Sequence, residues 1–210
     1  ETVKGTVIMR DKEGKEIDHA TNFTLARVPW YTPRGTLIVG GNEYSVANQV
    51  RPKPGVYARK RANGILEANF NTKGGRNFNI TMDPERGEPQ LEYGTSKIGL
   101  YPVLRKAGVR HEDIAKKWGA ELASKNAKTL MTKANKEVDK LYQKVVPIYQ
   151  QETDLDSDKQ VNEIFARYAK AEMDPDVNKR TLGKPYTAVT PDSLLDASSK
   201  VLRIFRKAEE

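Results

Sequence analysis

The hydrophobic pattern of the chain changes its period once, near residue 99, and this change constrains the fold more than any other feature. Before this point, short apolar runs are separated by turns rich in glycine and proline, a pattern typical of β-strands. After it, apolar residues recur every three or four positions, as they do on one face of an amphipathic helix. The sequence therefore predicts an α+β fold, with small antiparallel β-sheets in the N-terminal half and a helical C-terminal half.

The N-terminal half contains one strong hairpin signal. Thr36–Val39 is an apolar run that we expect to form a buried strand, and Gly40-Gly41-Asn42 turns the chain into a second strand at residues 43–46. Glycine is favoured in such turns because it adopts positive φ without steric cost. Beyond residue 55 three further strands are predicted, at residues 56–58, 65–70 and 78–82.

The helical half begins with two short stripes. Gly108 ends the first, and the second carries Ile114, Trp118 and Leu122 on one helix. A longer amphipathic face covers residues 130–145, where we expect one long helix. In that helix Lys133 and Glu137 have the spacing of an ion pair one turn apart. Lysines recur along the same region, at Lys125, Lys128, Lys133, Lys136, Lys140 and Lys144.

Two later helices have recognisable start signals. The residues Ser157-Asp158-Lys159-Gln160 have the pattern of a capping box, which predicts Ser157 as the N-cap of a helix. At Thr190-Pro191 we expect Thr190 to be the N-cap and Pro191 to occupy the first helical position, where its missing N–H costs nothing.

The charge of the chain favours a polyanionic partner. Its 210 residues include 36 Lys and Arg against 28 Asp and Glu, which gives a net charge of +8. The absence of cysteine excludes disulfides, thiolate metal sites and a cysteine nucleophile. No apolar run approaches the ~18 residues that span a bilayer, and no signal peptide is visible, so we expect no membrane partner. Because the sequence begins at Glu1 without Met, we interpret it as a fragment of a longer polypeptide or a processed product.

No combination of residues predicts a catalytic or metal site. His19 and His111 lie in different segments without metal-ligand spacing, and we expect both to be surface residues. The acidic run at residues 154–158 lacks the glycine and the terminal glutamate of a calcium loop, so it indicates a helix N-terminus. The Lys73-Gly74-Gly75-Arg76 segment lacks the spacing of a P-loop. A stand-alone hydrolase is therefore the least favoured function.

One basic cluster gives the clearest functional signal. Between positions 51 and 76 only Glu67 opposes a series of basic residues, and Tyr57, Phe70 and Phe78 are interleaved with them. Basic groups presented from turns can contact phosphates, while the aromatic residues either pack the sheet or stack on bases. Lys73-Gly74-Gly75-Arg76 is either a plain hairpin turn or a backbone cradle for a phosphate. The candidate nucleic-acid-binding residues are Arg51, Lys53, Arg59, Lys60, Arg61, Lys73 and Arg76. The alternative is a solvated basic face.

Several collinear motifs resemble one protein family. Residues 28–44, with Pro29, Gly35-Thr36-Leu37-Ile38 and a Gly-Asn-Glu turn, are followed by Gln49 and Pro54-Gly55-Val56-Tyr57. A glycine- and arginine-containing hairpin then ends at Asp83-Pro84, and residues 97–108 contain a lysine, a proline and a Leu-Arg-Lys-Ala-Gly helix end. In this order the motifs are similar to the second-largest (β) subunit of multisubunit DNA-directed RNA polymerases. The resemblance covers residues 20–118, is looser over 186–206, and over 120–185 is limited to helical character.

The resemblance implies a division of the chain and a role. Residues 1–48 would be a protrusion-like β segment, 49–185 a lobe-like α+β domain, and 186–210 a helix that returns toward the protrusion. The chain would be a non-catalytic part of the polymerase that clamps downstream and bubble DNA through sequence-independent backbone contacts. Other polymerase subunits and a sigma-like or other transcription factor would be its protein partners. The catalytic Mg²⁺ of this family is held by another subunit, so the resemblance implies no cofactor here.

Two departures from the family pattern are informative. Many bacterial relatives carry a DNA-stacking Trp in the lobe hairpin, where this chain has Arg76-Asn77. The resemblance places Gln49 near the template and the rifamycin pocket, but a bacterial Arg in the neighbouring hairpin is Tyr44 here. We therefore expect a phage-encoded or otherwise divergent polymerase, located in the cytoplasm of a bacterial or infected cell and packaged in the virion if of phage origin. The alternatives are a free-standing basic nucleic-acid-binding module or transcription regulator, and an interaction protein whose charge is incidental.

Overall fold

The structure, a computed structural model, describes residues 1–208 of the chain. These residues divide into two compact units, Glu1–Arg51 and a second unit that begins at Pro52. Each unit has its own β-structure, and every helix within the described residues belongs to the second unit. The α+β class expected from the change of period is confirmed, since the strands precede residue 100 and the helices follow it.

The first unit consists of two antiparallel hairpins. Its strands are β1 (Thr2–Arg10), β2 (Glu16–Arg27), β3 (Thr36–Val39) and β4 (Asn42–Ser45). The β1–β2 ladder contains three register shifts, which bend and twist the long strands. Almost every residue of these strands is exposed. The cause within the unit is simple, because a two-stranded sheet has no second layer of its own to cover either face.

The hairpin predicted at Gly40-Gly41 is confirmed, but its first strand is not buried. Val39 pairs with Asn42 across the turn, and the two glycines have φ of 60° and 82°. Positive φ at both central residues defines a type I′ turn, whose twist matches that of the flanking strands. The burial predicted for Thr36–Val39 is wrong, since Ile38 is 55% and Val39 51% exposed. An apolar run predicts a strand, but it does not say what covers that strand.

The second unit is built on a five-stranded antiparallel meander, in which each strand pairs with its neighbour in sequence. The strands are β5 (Gly55–Lys60), β6 (Leu66–Asn71), β7 (Phe78–Met82), β8 (Gln90–Tyr93) and β9 (Ser96–Gly99). The first three confirm the strands predicted at residues 56–58, 65–70 and 78–82. The sequence pattern does not predict β8 and β9, because two four-residue strands around a tight turn contain too short an alternation.

Within the described residues, seven α-helices follow the sheet. They are α1 (Leu100–Lys106), α2 (His111–Trp118), α3 (Ala120–Leu130), α4 (Ala134–Val145), α5 (Ser157–Tyr168), α6 (Pro175–Leu182) and α7 (Pro191–Ala208). Short 3-10 helices lie at Met131–Lys133 and Ile148–Gln150. The single long helix predicted for the lysine-rich region is wrong, because Met131–Lys133 separates α3 from α4. Ile114 and Leu122 also lie on different helices, since Gly119 with φ 98° ends α2.

The helix start signals give one wrong and one confirmed prediction. The N-cap of α5 is Asp156 and not Ser157, because the Asp156 carboxylate accepts hydrogen bonds from the backbone N–H groups of Asp158 and Lys159 at 3.1 and 2.9 Å. The acidic run therefore serves as a helix N-terminus, as predicted. Thr190 caps α7 as predicted, since its Oγ1 accepts a hydrogen bond from the Ser193 N–H at 3.1 Å.

The ion pair predicted between Lys133 and Glu137 does not form. Glu137 is buried, and its carboxylate accepts hydrogen bonds from the backbone N–H of Gly99 at 2.8 Å and from Lys140 Nζ at 2.7 Å. The side chain therefore connects α4 to the end of β9. The break before α4 explains the difference, because Lys133 lies in the 3-10 helix and not one regular turn before Glu137.

The core of the second unit lies between one face of the meander and the helices. Val56, Phe70, Ile80 and Leu91 are buried on that face, and Trp118 is the largest fully buried side chain. The indole Nε1–H of Trp118 donates to Ser198 Oγ on α7 at 2.8 Å, which satisfies its only polar atom. The opposite face of the meander remains free to carry polar side chains.

Candidate nucleic-acid interface

The polar face of the meander is assembled from alternate residues of all five strands. The strand register aligns two rows of side chains across it. One row consists of Tyr57, Asn69, Asn79, Glu92 and Lys97, and the other of Arg59, Glu67, Thr81 and Gln90. We call these nine residues, together with Arg61, the polar sheet face. Inside the first row, Asn69 Nδ2 donates to Asn79 Oδ1 at 2.7 Å.

Glu67 is the only acidic residue in the basic sequence cluster, and its carboxylate forms ion pairs with two of the arginines. The side chain is only 2% exposed, although it lies on the polar face. Arg59 Nε donates to its Oε1 at 2.8 Å, and Arg61 donates to its Oε2. Arg61 also reaches Glu92 at 3.4 Å. A buried carboxylate needs such partners. Arg61, which is 28% exposed, is therefore engaged by Glu67, whereas the Arg59 side chain remains 72% exposed.

The basic cluster predicted from sequence is divided between the two ends of the sheet. Arg59, Lys60 and Arg61 lie where β5 ends, whereas Lys73 and Arg76 lie in the turn between β6 and β7. Lys53 is at the latter end, because Gly55 pairs with Asn71. The six residues of β6 separate the ends by roughly 20 Å at about 3.3 Å per residue.

The turn between β6 and β7 is held by its own side chains and by the segment after α5. Asn77 Oδ1 accepts a hydrogen bond from the Thr72 N–H at 2.9 Å. The Lys73 N–H donates to the Glu172 carbonyl at 2.9 Å. Gly75 has no room for a side chain, because an added Cβ would lie 3.0 Å from the Ala171 Cβ. The predicted hairpin turn is therefore confirmed as an ordered one.

The lysines at this end form only weak ion pairs. Lys53 Nζ lies 3.7 Å from Asp174 Oδ2, and Lys73 Nζ lies 3.5 Å from Glu172 Oε2. Both lysine side chains are 75% exposed, and exposed pairs of this kind contribute little to stability. A phosphate can therefore replace either carboxylate at small cost.

A cavity of about 280 Å³ lies beside this turn. Its wall includes Gly74, Gly75 and Arg76 from the turn and Arg167 and Lys170 from the end of α5. The rings of Phe78, Tyr93 and Tyr168 form its floor.

The aromatic floor belongs to the core. Phe78 stacks on Tyr93 with ring centroids 5.0 Å apart, and the hydroxyls of Tyr93 and Tyr168 are hydrogen bonded to each other. Burial raises the pKa of both phenols. Of the interleaved aromatic residues in the cluster, Phe70 and Phe78 are buried and pack the sheet, so they are not available to stack on bases. Only Tyr57 lies on the polar sheet face.

Two predicted site residues lie in the first unit. Gln49 and Arg51 are both exposed, and neither lies in a strand or helix. Lys60 is exposed at the end of β5, where its register places it opposite Leu66, on the other side of the strand from Arg59.

The histidines have local partners. His19 Nδ1 lies 3.1 Å from Glu16 Oε1, and His111 Nδ1 lies 2.7 Å from the Tyr101 hydroxyl. His19 is exposed as predicted, whereas His111 is only partly exposed. Over residues 1–208, no three His, Asp or Glu side chains converge as a metal site would require.

The fold also brings together a second group of basic residues, which the cluster predicted between positions 51 and 76 does not include. Lys116 and Lys117 from α2, Lys184, and Arg203 and Arg206 from α7 line one cavity. These residues are far apart in sequence, so no local pattern could have grouped them. Separately, no helix in the described part of the chain is both long and apolar enough to cross a membrane.

Comparison with known proteins finds similarity to one kind of subunit. The chain is 36% identical over 93 residues to the DNA-directed RNA polymerase subunit beta of Synechocystis sp., which covers 44% of this chain and 8% of the relative. It is 32% identical over 97 residues to the same subunit of Pyropia yezoensis, an alignment that covers 44% of this chain and 8% of the relative. It is 23% identical over 203 residues to the subunit beta of Methylacidiphilum infernorum, an alignment that covers 95% of this chain and 15% of the relative.

These relatives are much longer than the aligned regions. The chain spans only 8% to 15% of their lengths. No family model matches the chain. The comparisons thus support a relationship with RNA polymerase β subunits in general terms.

Proposed function

We propose that this chain is a non-catalytic part of a DNA-directed RNA polymerase β-like subunit, and that it holds DNA through backbone contacts. The similarity to β subunits supports the transcriptional context. The observation that carries the DNA contact is the polar sheet face with cationic groups at both ends. A net charge of +8 adds a long-range attraction toward a polyanion.

The spacing of the cationic groups matches a nucleic-acid strand better than a small anion. The roughly 20 Å between the two ends of β6 corresponds to roughly six base pairs at about 3.4 Å per pair. Lys73, Arg76 and Lys53 would contact phosphates at one end and Arg59 at the other, where Lys60 would contribute from the other side of the same strand. Arg61 would act indirectly, because it is engaged with Glu67 and Glu92.

Between the two ends, the first row of the polar sheet face carries amides on β6 and β7 and the charged residues Glu92 and Lys97 on β8 and β9. Asn69 and Asn79 are hydrogen bonded to each other, and the Tyr57 hydroxyl donates to the Lys53 carbonyl at 2.8 Å. Phosphate contacts position a protein without reading sequence, so we expect binding that is independent of base sequence and weakened by salt.

We further propose the division of the chain that the resemblance implies. Residues 1–48 would be the protrusion-like segment, 49–185 the lobe-like domain and 186–210 the return helix, in an unusual or phage-encoded enzyme. Other polymerase subunits and a sigma-like factor would be the partners. The resemblance assigns catalysis, with its Mg²⁺, to another subunit.

Fluorescence anisotropy with a forked, partly single-stranded DNA at increasing salt tests the proposal. The test variant is Lys60→Glu, Lys73→Glu and Arg76→Glu combined, and Arg61 is left unchanged because Glu67 depends on it. The matched control reverses three exposed helix lysines, Lys128, Lys136 and Lys144, none of which forms an ion pair within the described residues. We expect the test variant to lose roughly one unit of log–log salt slope per lost phosphate contact, and the control to keep most of its slope. Equal losses in both would mean that net charge alone drives binding, which would contradict a defined face.

A further inference from the structure

A second cationic cavity lies on the helical side of the second unit and shares no lining residue with the polar sheet face. It has a volume of about 500 Å³ and lies between the end of α2, the loop after α6, and α7. Five cationic side chains line it, together with one acidic residue, Asp196. The cationic residues are Lys116, Lys117, Lys184, Arg203 and Arg206. We call this the α2–α7 cavity.

The fold brings these residues together from three separate segments. On α7, Asp196, Ser199, Arg203 and Arg206 follow one another at intervals of three or four residues, which places them on one face of the helix. Lys116 and Lys117 lie in the last turn of α2. Gly183 ends α6 in the left-handed conformation, with φ 82°, and is directly followed by Lys184.

Asp196 fixes two of the five cations. Its carboxylate accepts from Lys117 Nζ at 2.8 Å and from Lys184 Nζ at 2.9 Å, and the Tyr186 hydroxyl donates to it at 2.7 Å. Burial alone would raise the pKa of Asp196, but these hydrogen bonds outweigh it and lower the pKa. The hydrogen bond to Asp196 raises the pKa of Lys184. The Lys184 ammonium is therefore charged at neutral pH, and the shared carboxylate holds both lysine side chains in place.

Within residues 1–208, the remaining three cations form no ion pair with a carboxylate. Arg206 Nη2 donates to the neutral backbone carbonyl of Trp118 at 2.9 Å. Lys116 and Arg203 are exposed and make no ion pair within the described residues. Clefts lined by one sign of charge focus the electrostatic field and concentrate ions of the opposite sign. Five cations and one carboxylate line the cavity, while Asp192 and Asp113 act on Lys184 and Lys116 from outside the lining, so the described lining carries a net positive charge.

We propose that the α2–α7 cavity binds phosphate groups. Arginine and lysine are the side chains that bind phosphate best, arginine through its planar fork and lysine as a point charge. The volume lies within the range of about 300–1,000 Å³ that is usual for ligand sites, so consecutive phosphates fit where a single small anion would leave space. The phosphates could come from a free polyphosphate or nucleotide, or from consecutive positions of a nucleic-acid strand. None of these residues is part of the polar sheet face, so the inference goes beyond the proposed function.

Isothermal titration calorimetry of the 210-residue chain with inorganic tripolyphosphate at low salt tests the proposal. The test variant is Lys116→Gln with Arg203→Gln, two exposed residues whose replacement leaves the Asp196 network intact. We expect this variant to lose roughly tenfold or more in tripolyphosphate affinity, as the loss of two charged contacts implies. The Lys60→Glu, Lys73→Glu, Arg76→Glu variant should bind tripolyphosphate as the wild type does. Thermal unfolding of each variant separates a lost site from a lost fold.

A parallel titration with a short single-stranded oligonucleotide distinguishes the two sources of phosphate. If the cavity variant weakens tripolyphosphate and oligonucleotide binding alike, the cavity accepts a nucleic-acid strand. If it weakens only tripolyphosphate binding, the ligand is a free polyphosphate. If the Lys116→Gln, Arg203→Gln variant binds both ligands as tightly as the wild type, the inference is overturned, whatever the Lys60→Glu, Lys73→Glu, Arg76→Glu variant does. Loss of DNA binding in the Lys60→Glu, Lys73→Glu, Arg76→Glu variant alone bears only on the proposed function.

Discussion

Arg61 and Glu67 form an ion pair on the polar sheet face that is more deeply buried than any other pair in the basic cluster, with side-chain exposures of 28% and 2%. Arg59 contacts the same carboxylate but is 72% exposed. The two arginines therefore have different roles, although two positions separate them in sequence. Arg61 compensates a buried charge, and Arg59 presents a cation to solvent.

The first prediction concerns stability and follows from this difference. Arg61→Gln should destabilise the second unit by about 3 kcal/mol, because it leaves the Glu67 carboxylate buried with incomplete compensation. Arg59→Gln should cost less, under about 1 kcal/mol, because Arg61 still compensates Glu67 and the Arg59 side chain is 72% exposed. Urea unfolding of both variants measures the difference. Equal costs would show that Arg61 does not support Glu67.

The second prediction concerns the buried contact between Glu137 and Gly99. Glu137→Ala should destabilise the protein by about 2 kcal/mol, because it leaves the Gly99 N–H without its acceptor in the core. Lys133→Ala is the control and should change stability by less than about 0.5 kcal/mol, since Lys133 makes no ion pair within the described residues. Thermal unfolding followed by circular dichroism measures both. A larger loss of stability in the Lys133→Ala control would instead support the Lys133–Glu137 ion pair expected from the sequence.

The third prediction concerns the close approach of β5 to α6. A Cβ added at Gly55 would lie 2.4 Å from Val177 Cγ1, so Gly55→Ala should destabilise the protein by about 1–3 kcal/mol through overpacking. Adding Val177→Ala should recover part of this loss, because it removes the clashing methyl groups. A double-mutant cycle in urea measures the coupling between the two positions. Simple additivity of the two changes would argue against the contact.

The fourth prediction concerns acid stability. The folded pKa of Asp196 is lowered, so the stability that it contributes is fully present above the unfolded pKa of about 3.9 and is lost as pH falls through the folded value. The wild type should therefore lose more stability between pH 7 and pH 3 than Asp196→Asn does. Urea midpoints at the two pH values measure this. Parallel losses in the two proteins would mean that Asp196 titrates alike when folded and unfolded.

The local features of the fold were predictable because they depend on neighbouring residues. Gly40-Gly41 specifies its turn through positive φ, and Thr190-Pro191 specifies a helix start through one cap and one missing N–H. The break at Met131–Lys133 was not predictable, because the apolar pattern continues through it and no proline or glycine marks it. The helix α6 is short, and its stripe is limited to a few residues, so periodicity did not reveal it.

The candidate site shows the same limit. Sequence proximity grouped Arg59 with Arg76, but an antiparallel strand carries the chain to the opposite end of the sheet between them. Conversely, Lys116, Lys184 and Arg203 share a cavity only because α2, α6 and α7 pack together. Basic character could be predicted from composition, whereas its distribution in space depends on the tertiary structure.

The strictly sequential order of the meander has a consequence for how the chain acquires its structure. Each strand from β5 to β9 pairs with the strand next to it in sequence, so the sheet can form by successive hairpins with little loop-closure entropy. The helix α7 packs on β5 and β6 from the opposite end of the same unit. During synthesis, therefore, the whole sheet can form before α7 is available to cover its apolar face. We expect this late, long-range contact between α7 and the sheet to limit the folding rate.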